Sequence, residues 1–179
     1  VKDVKGFRRA VPSDATQLVR LVRSAYRGSV GWASEADLVG GERIAATQLL
    51  EVIARPRSML LVLEESDALL ACCQLEDRGE RLAFLGTFAV RPTAQGRGVG
   101  RRVVAEAERW ATAEFGANVL EITVLAQQTA LVHWYERLGF ERTGELRPFP
   151  ADVRYARPKR DDLHFVVLRK VLGEEQASR

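Results

Sequence analysis

The stretch Val90-Arg-Pro-Thr-Ala-Gln95-Gly-Arg-Gly-Val-Gly100-Arg-Arg-Val-Val constrains this chain more than any other. The run before it, residues 82–90, predicts a strand, because Phe84, Leu85, Phe88 and Val90 favour extended backbone. Arg91-Pro92 ends that strand, since proline has no N–H to give a ladder and pushes its predecessor out of the helical region. The glycines predict a loop. Residues 101–114 predict a helix with Val103, Val104, Ala107, Trp110 and Ala111 on one face. Strand, glycine loop and helix start together make an anion site, where free backbone N–H groups and the positive end of the helix dipole converge. Two nucleotide loops are excluded by spacing. A P-loop needs Lys and Ser/Thr after its second glycine, and a dinucleotide fingerprint needs its third glycine one residue later than Gly100.

Taken in order, the rest of the chain builds a sheet around this loop. Residues 7–10 read as a first strand, and Ser13-Asp14 as an N-cap for a helix with an apolar stripe of Leu18, Val19, Leu21, Val22 and Tyr26. Gly28 stops it. Residues 31–43 are glycine-punctuated and irregular, and residues 46–54 form a short helix. Residues 57–63, 68–75 and 82–90 predict an antiparallel meander, joined by Glu64-Glu-Ser-Asp67 and Asp77-Arg-Gly-Glu80. After the loop helix, Gly116 precedes a strand at 119–125, parallel to the one before the loop because the helix crosses over. A helix at 129–138 closes at Gly139, Phe140 enters another strand, and residues 163–171 form the last. Residues 146–160, rich in proline and arginine, read as irregular.

The 179 residues fit one domain, 1–179. The net charge is only +3, arginine greatly outnumbers lysine, and no block of five or six basic residues appears, so nucleic acid is not indicated. Cys72 and Cys73 are adjacent in an apolar strand and face opposite ways, which suggests neither a disulfide nor a metal site. With no signal peptide and no apolar run of spanning length, a cytoplasmic chain with no membrane association is expected.

Two segments carry a family resemblance. Gln95-Gly-Arg-Gly98-Val-Gly100 fits Gln/Arg-x-x-Gly-x-Gly/Ala after a strand ending Phe88-Ala-Val90, and Tyr135-Glu-Arg-Leu-Gly139-Phe140 fits Tyr-Glu-x-x-Gly-Phe at the right distance beyond it. The opening Ala10-x-x-x-Asp14 and Thr143-Gly-Glu145 agree. In these features the chain resembles the Gcn5-related N-acetyltransferase (GNAT) superfamily. The resemblance implies an α/β fold of the acyl-CoA N-acyltransferase type: a mixed, mostly antiparallel sheet flanked by helices, with fourth and fifth strands splayed at Val90 and Leu125. It also implies direct transfer of an acetyl group from acetyl-CoA to a small-molecule amine such as an amino acid, a polyamine or an antibiotic-like amine, with no metal. Dimers are frequent in the family, so a homodimer is compatible.

The same resemblance distributes roles. The backbone of Phe88 and Val90 pairs with pantetheine, and the N–H groups from Gln95 through Gly96, Arg97, Gly98, Val99, Gly100 and Arg101 hold pyrophosphate. Gln128 stands where asparagine is common, touching pantetheine with a longer arm. Tyr135 is the general acid, and a backbone N–H near Phe88 and Val90 faces the developing oxyanion. Trp32, Glu35 and Arg43, in the segment that varies between members, belong to the acceptor pocket; Trp32 otherwise reads as a cover over the core. The base is open. A glutamate four residues before the Phe88 position serves one branch, but here that residue is Phe84, leaving Glu35, Glu76, Glu121 or a water chain. His133, about 200° around the helix from Tyr135, faces elsewhere. Arg43, Arg147 and Arg157 beside the irregular segments suit an acceptor carboxylate or phosphate, while Glu35 or Asp152 suits its amine. Two alternatives remain: a non-catalytic acyl-CoA sensor or structural module, and an acetyltransferase of protein amines.

Overall fold

A computed structural model describes residues 4–150, 152 and 154–173. Its elements are β1 (Val4–Arg9), α1 (Ala15–Arg27), β2 (Val39–Gly40), α2 (Ala46–Ala54), β3 (Ser58–Glu65), β4 (Ala68–Gly79), β5 (Leu82–Val90), α3 (Val99–Phe115), β6 (Val119–Leu125), α4 (Thr129–Arg137), β7 (Glu141–Pro148), β8 (Arg157–Pro158) and β9 (His164–Val171). Seven strands form one sheet in the order β1-β3-β4-β5-β6-β9-β7, and β2 pairs with β8 apart from it. Every neighbouring pair in the large sheet is antiparallel except β5 and β6.

The sheet is covered on both faces, which explains the unbroken apolar run in β3. Met59, Leu61 and Leu63 pack with Val103, Ala107 and Tyr135 from α3 and α4. Leu60 and Val62 pack on the other face with Leu18, Val22 and Leu49 from α1 and α2. Cys72 and Cys73 divide between these faces as expected, buried and unbridged. Burial pushes the Cys72 thiol up to about 12 and raises that of Cys73 further.

Several element bounds differ from the sequence reading. The meander turns are tighter than four residues: Glu64 and Glu65 stay in β3, and the chain reverses at Ser66-Asp67, with φ of 49° and 62°. Glu80-Arg81 does the same after β4, at 49° and 60°. These paired positive values are the type I′ geometry that matches strand twist. β1 begins three residues before Phe7, because Val4 already bridges Glu65. α3 starts at Val99, earlier than expected. β7 continues to Pro148 because it lies on the sheet edge, where proline loses no ladder bond. Asp14 does not cap α1: its carboxylate accepts the Val11 N–H at 2.8 Å, closing a 3₁₀ turn, and forms a two-pronged pair with Arg8 at 2.8 and 3.0 Å.

Two features of this fold create a site. β5 and β6 bridge only from Leu82/Val119 to Phe84/Glu121, so residues 85–90 and 122–125 continue without a mutual ladder and leave a gap. The irregular segments of the sequence then close one end of that gap. β2 pairs with β8, the N–H groups of Glu42 and Arg43 donate to Arg154 and Tyr155, and that of Lys159 donates to Leu38. Neither segment is regular alone, and each supplies the other's missing hydrogen bonds.

Candidate active site

The gap opens into a cavity of about 740 Å³ that runs from the glycine loop to the paired irregular segments. At the loop end, Gly96 and Gly98 have φ of 74° and 78°, and a Cβ on either would stand in open space. Gly98 is the left-handed N-cap of α3 and offers no side chain to the first turn, so the N–H groups there are directed at the cavity mouth. Gly96, Gly98, Gly100 and Arg101 line this end. Gly100 has a second use: a Cβ there would come within 3.2 Å of the Trp134 ring, so glycine lets α4 pack against the start of α3. The Val99 side chain is buried in the core, leaving only its N–H for a ligand. Arg97 is exposed and does not line the cavity, whereas Arg101 does.

Along the gap, β5 presents backbone. The Arg91 N–H donates to Leu70 in β4 at 2.9 Å, so strand alternation turns the N–H and C=O of Val90 toward the gap. The Gln95 side chain lies beside them, its Nε2 donating to the Val90 carbonyl at 3.2 Å. A bulge re-aims this segment: Gln74 faces Gly86 while Cys72 faces Ala89, which adds one residue to β5. Thr87 sits at its centre with φ of 42°, a costly value for a β-branched residue, and its hydroxyl donates to Gln74 Oε1 at 3.1 Å. The bulge takes Phe88 out of the β4 register while Val90 stays opposite Ala71, and both residues line the cavity.

Tyr135 projects from α4 into the same cavity and is buried. Its ring meets Phe88 edge-on at 6.4 Å, Trp134 at 4.8 Å and Phe140 at 5.5 Å, which fixes its direction. Burial raises the phenol well above its ordinary value, with Tyr26 and Cys73 adding to the effect. It therefore stays protonated throughout the neutral range. His133 is exposed on another side of α4.

Trp32 meets Trp134 edge-on at 6.0 Å, the ring that also lies against Gly100, and lines the cavity together with Glu35 and Arg43. Glu35 is paired with Arg27 at 3.0 Å. Arg43 lies over the Tyr26 ring at 4.4 Å. Gln128 also lines the cavity, but its Nε2 donates to the Ala33 carbonyl at 3.2 Å and so ties the start of α4 to the segment that carries Trp32 and Glu35.

The structure removes several sequence candidates. Glu121 is buried between Arg147 at 2.8 Å and Arg169 at 2.8 Å and does not line the cavity, so it is out of reach of a ligand there. The same pair takes Arg147 away from any acceptor. Glu76 is paired with Arg78, and neither it, Asp152 nor Arg157 lines the cavity. Phe84 does line it, and its ring carries the Arg78 guanidinium at 4.8 Å. Among the described residues, Glu35 is the one carboxylate on the wall. Arg27, Arg137 and Thr87 were not anticipated. Arg137 sits inside the Tyr-Glu-x-x-Gly-Phe segment, where its charge was a usable signal. Arg27 and Thr87 depend on contacts between distant segments.

A cavity with an anion cradle at one end and an unpaired strand edge along its length suits a ligand with phosphates followed by amides. A model of the Acetyltransferase (GNAT) family matches residues 18–140, and the chain belongs to that family. Mycothiol acetyltransferase of Gordonia bronchialis is 28% identical over 151 residues, covering 83% of this chain and 45% of that protein. The chain thus spans less than half the length of that relative. Among solved structures, yncA of Salmonella typhimurium, determined with its cofactor acetyl-CoA, has a TM-score of 0.66 at 19% identity, covering 99% of this chain and 98% of that one. The spermidine/spermine N-acetyltransferase SpeG of Vibrio cholerae has a TM-score of 0.67 at 19% identity, covering 93% and 92%. At these identities the likeness is one of fold: a mixed sheet, mostly antiparallel, flanked by helices.

Proposed function

We propose that the chain acetylates the amine of a small molecule directly from acetyl-CoA, with residues 1–179 acting as one such domain. The observation that carries this is the single cavity onto which the α3 N-terminus, the free edge of β5 and Tyr135 all open. Acetyl-CoA supplies a thioester whose carbonyl carbon accepts the amine and whose sulfur leaves. The N–H groups of residues 96–101 and the Arg101 side chain hold its pyrophosphate, since the Gln95 N–H is already given to the Pro92 carbonyl at 3.3 Å. The backbone of Phe88 and Val90 receives its amides as a further strand would, since their polar groups on that side have no ladder partner. The N–H groups of the Thr87 bulge stabilise charge on the reacting oxygen. Tyr135 gives its proton to the departing sulfur, and Glu35 is the carboxylate in place to take a proton from the ammonium.

The test is calorimetric titration with acetyl-CoA, followed by a thiol-release screen over pooled amines. Cys72 and Cys73 are buried with raised pKa values, so released CoA dominates that signal. The expected result is saturable binding and acceptor-dependent release. Tyr135→Phe is expected to lower kcat by about 10²-fold while acetyl-CoA affinity stays within a few-fold. Binding without release from any pool would instead support an acyl-CoA sensor, and unchanged turnover in Tyr135→Phe would remove the acid role.

A further inference from the structure

The charge around the cavity is unevenly committed. Five charged side chains line it among the described residues: Arg27, Glu35, Arg43, Arg101 and Arg137. Arg101 and Arg137 stand toward the phosphate-loop end, where a second, smaller depression also brings them together. Arg27 and Glu35 neutralise one another at 3.0 Å, and Arg27 is further fixed by donating to the Gly41 and Tyr155 carbonyls, both at 3.2 Å. Arg27 is therefore part of the framework that joins α1 to the irregular segments.

Arg43 differs. No carboxylate lies within ion-pair distance of its guanidinium among the described residues. Its position is nevertheless fixed: the group is stacked over the Tyr26 ring at 4.4 Å, and its backbone, with φ of 69°, is held by its N–H bond to Tyr155. Contact with Tyr26, which includes a side-chain hydrogen bond, occupies part of the guanidinium and leaves its remaining N–H groups to grip an oxyanion. The cavity wall also includes the rings of Phe84, Phe149 and Phe165. A half-buried, immobilised arginine of this kind favours an anionic ligand and repels a second cation.

We propose, building on the acetyltransferase reading above, that the acceptor is an amine carrying a carboxylate on its non-reacting part, with Arg43 gripping that carboxylate. The acceptor's ammonium is directed to the Glu35 side, and the aromatic walls take its apolar body. A polyamine fits this end poorly, since its remaining ammonium groups would meet Arg43 with no free carboxylate to offset the repulsion.

Matched probe pairs test this: L-leucine against L-leucinamide, L-phenylalanine against L-phenylalaninamide, and β-alanine against β-alaninamide, with putrescine as the cationic probe. Each is measured by acceptor-dependent CoA release and, independently of turnover, by quenching of tryptophan fluorescence, to which Trp32 on the cavity wall contributes. For the preferred pair, the carboxylate is expected to exceed its amide by about tenfold or more in kcat/KM and in affinity. Arg43→Gln should collapse that ratio toward one, mainly through KM, and Arg43→Lys should restore part of it. The ratio is internal to each protein, so partial misfolding of a variant does not distort it. Equal or better use of every amide, a preference for putrescine, or a ratio that survives Arg43→Gln would each overturn the proposal. Failure of acetyl-CoA to bind would instead remove the acetyltransferase reading, while the fluorescence ratio would still decide whether Arg43 holds carboxylates.

Discussion

At Asp14 a buried carboxylate does local work that helix propensity alone would not assign to it. It accepts the Val11 N–H and two Arg8 donors, and the Arg8 hydrogen bonds hold its pKa below the ordinary aspartate value against the opposing effect of burial. A carboxylate depressed in the folded state stabilises fully above its unfolded pKa of about 3.9 and loses that contribution as pH falls through the lower folded value. Asp14→Asn is therefore expected to cost about 1–2 kcal/mol at pH 7. The difference between variant and parent should shrink as pH drops below about 4. Urea unfolding at pH 7, 5 and 3 would check this; a gap that stays constant with pH would mean that packing, not charge, carries the effect. Tyr135 shows the opposite balance. No cation lies among the causes of its shift, burial dominates, and the result is a group that keeps its proton until something in the cavity takes it.

At the scale of elements, the N-terminus of α3 separates backbone strain from ligand binding. Gly98 and Gly116 cap the two ends of the same helix, both in the left-handed region, with φ of 78° and 63°. Both have open space where a Cβ would stand, but only Gly98 lines the cavity. Gly98→Val and Gly116→Ala should each lower stability by about 1–2 kcal/mol through the strained backbone. Only Gly98→Val should also weaken acetyl-CoA binding, by about tenfold or more, because its side chain fills the approach to the N–H groups. Equal affinities in the two variants would mean that the loop is merely a turn. The glycine pattern, the flanking strand and the helix were legible in the sequence because each is local: proline, glycine spacing and apolar periodicity act within a few residues. The part of the cavity lined by Trp32, Glu35 and Arg43 was legible only as a loose set of residues. Glu121 looked like a free base until β7 and β9 brought Arg147 and Arg169 to it from more than twenty positions away. Arg43 could be nominated, but its contact with Tyr26 and its lack of a carboxylate partner among the described residues follow from how residues 28–45 pair with residues 154–159.

Across the whole molecule, the sheet is two antiparallel halves that meet at one short parallel junction. β1, β3, β4 and β5 form one half and β6, β9 and β7 the other, and three bridged residue pairs join them. The cost is an unpaired strand edge inside the molecule, which a folded protein rarely leaves exposed within its interior. α3 and α4 limit that cost by packing across the junction from one face, with Val104, Ala107, Val132 and Tyr135 in the same core as Leu85 and Ile122. The edge is thus open to a ligand yet held at fixed spacing. Amide hydrogen exchange gives this a direct measure. The Val90 N–H faces the gap, whereas that of Arg91 is already bonded to Leu70. Adding acetyl-CoA should slow exchange at Val90 by about tenfold or more and leave Arg91 nearly unchanged. Protection of both by the same factor would indicate global stabilisation by ligand binding instead. Protection of Val90 alone would mean that the ligand enters as the strand the sheet lacks, and that the splay between its halves exists to admit it.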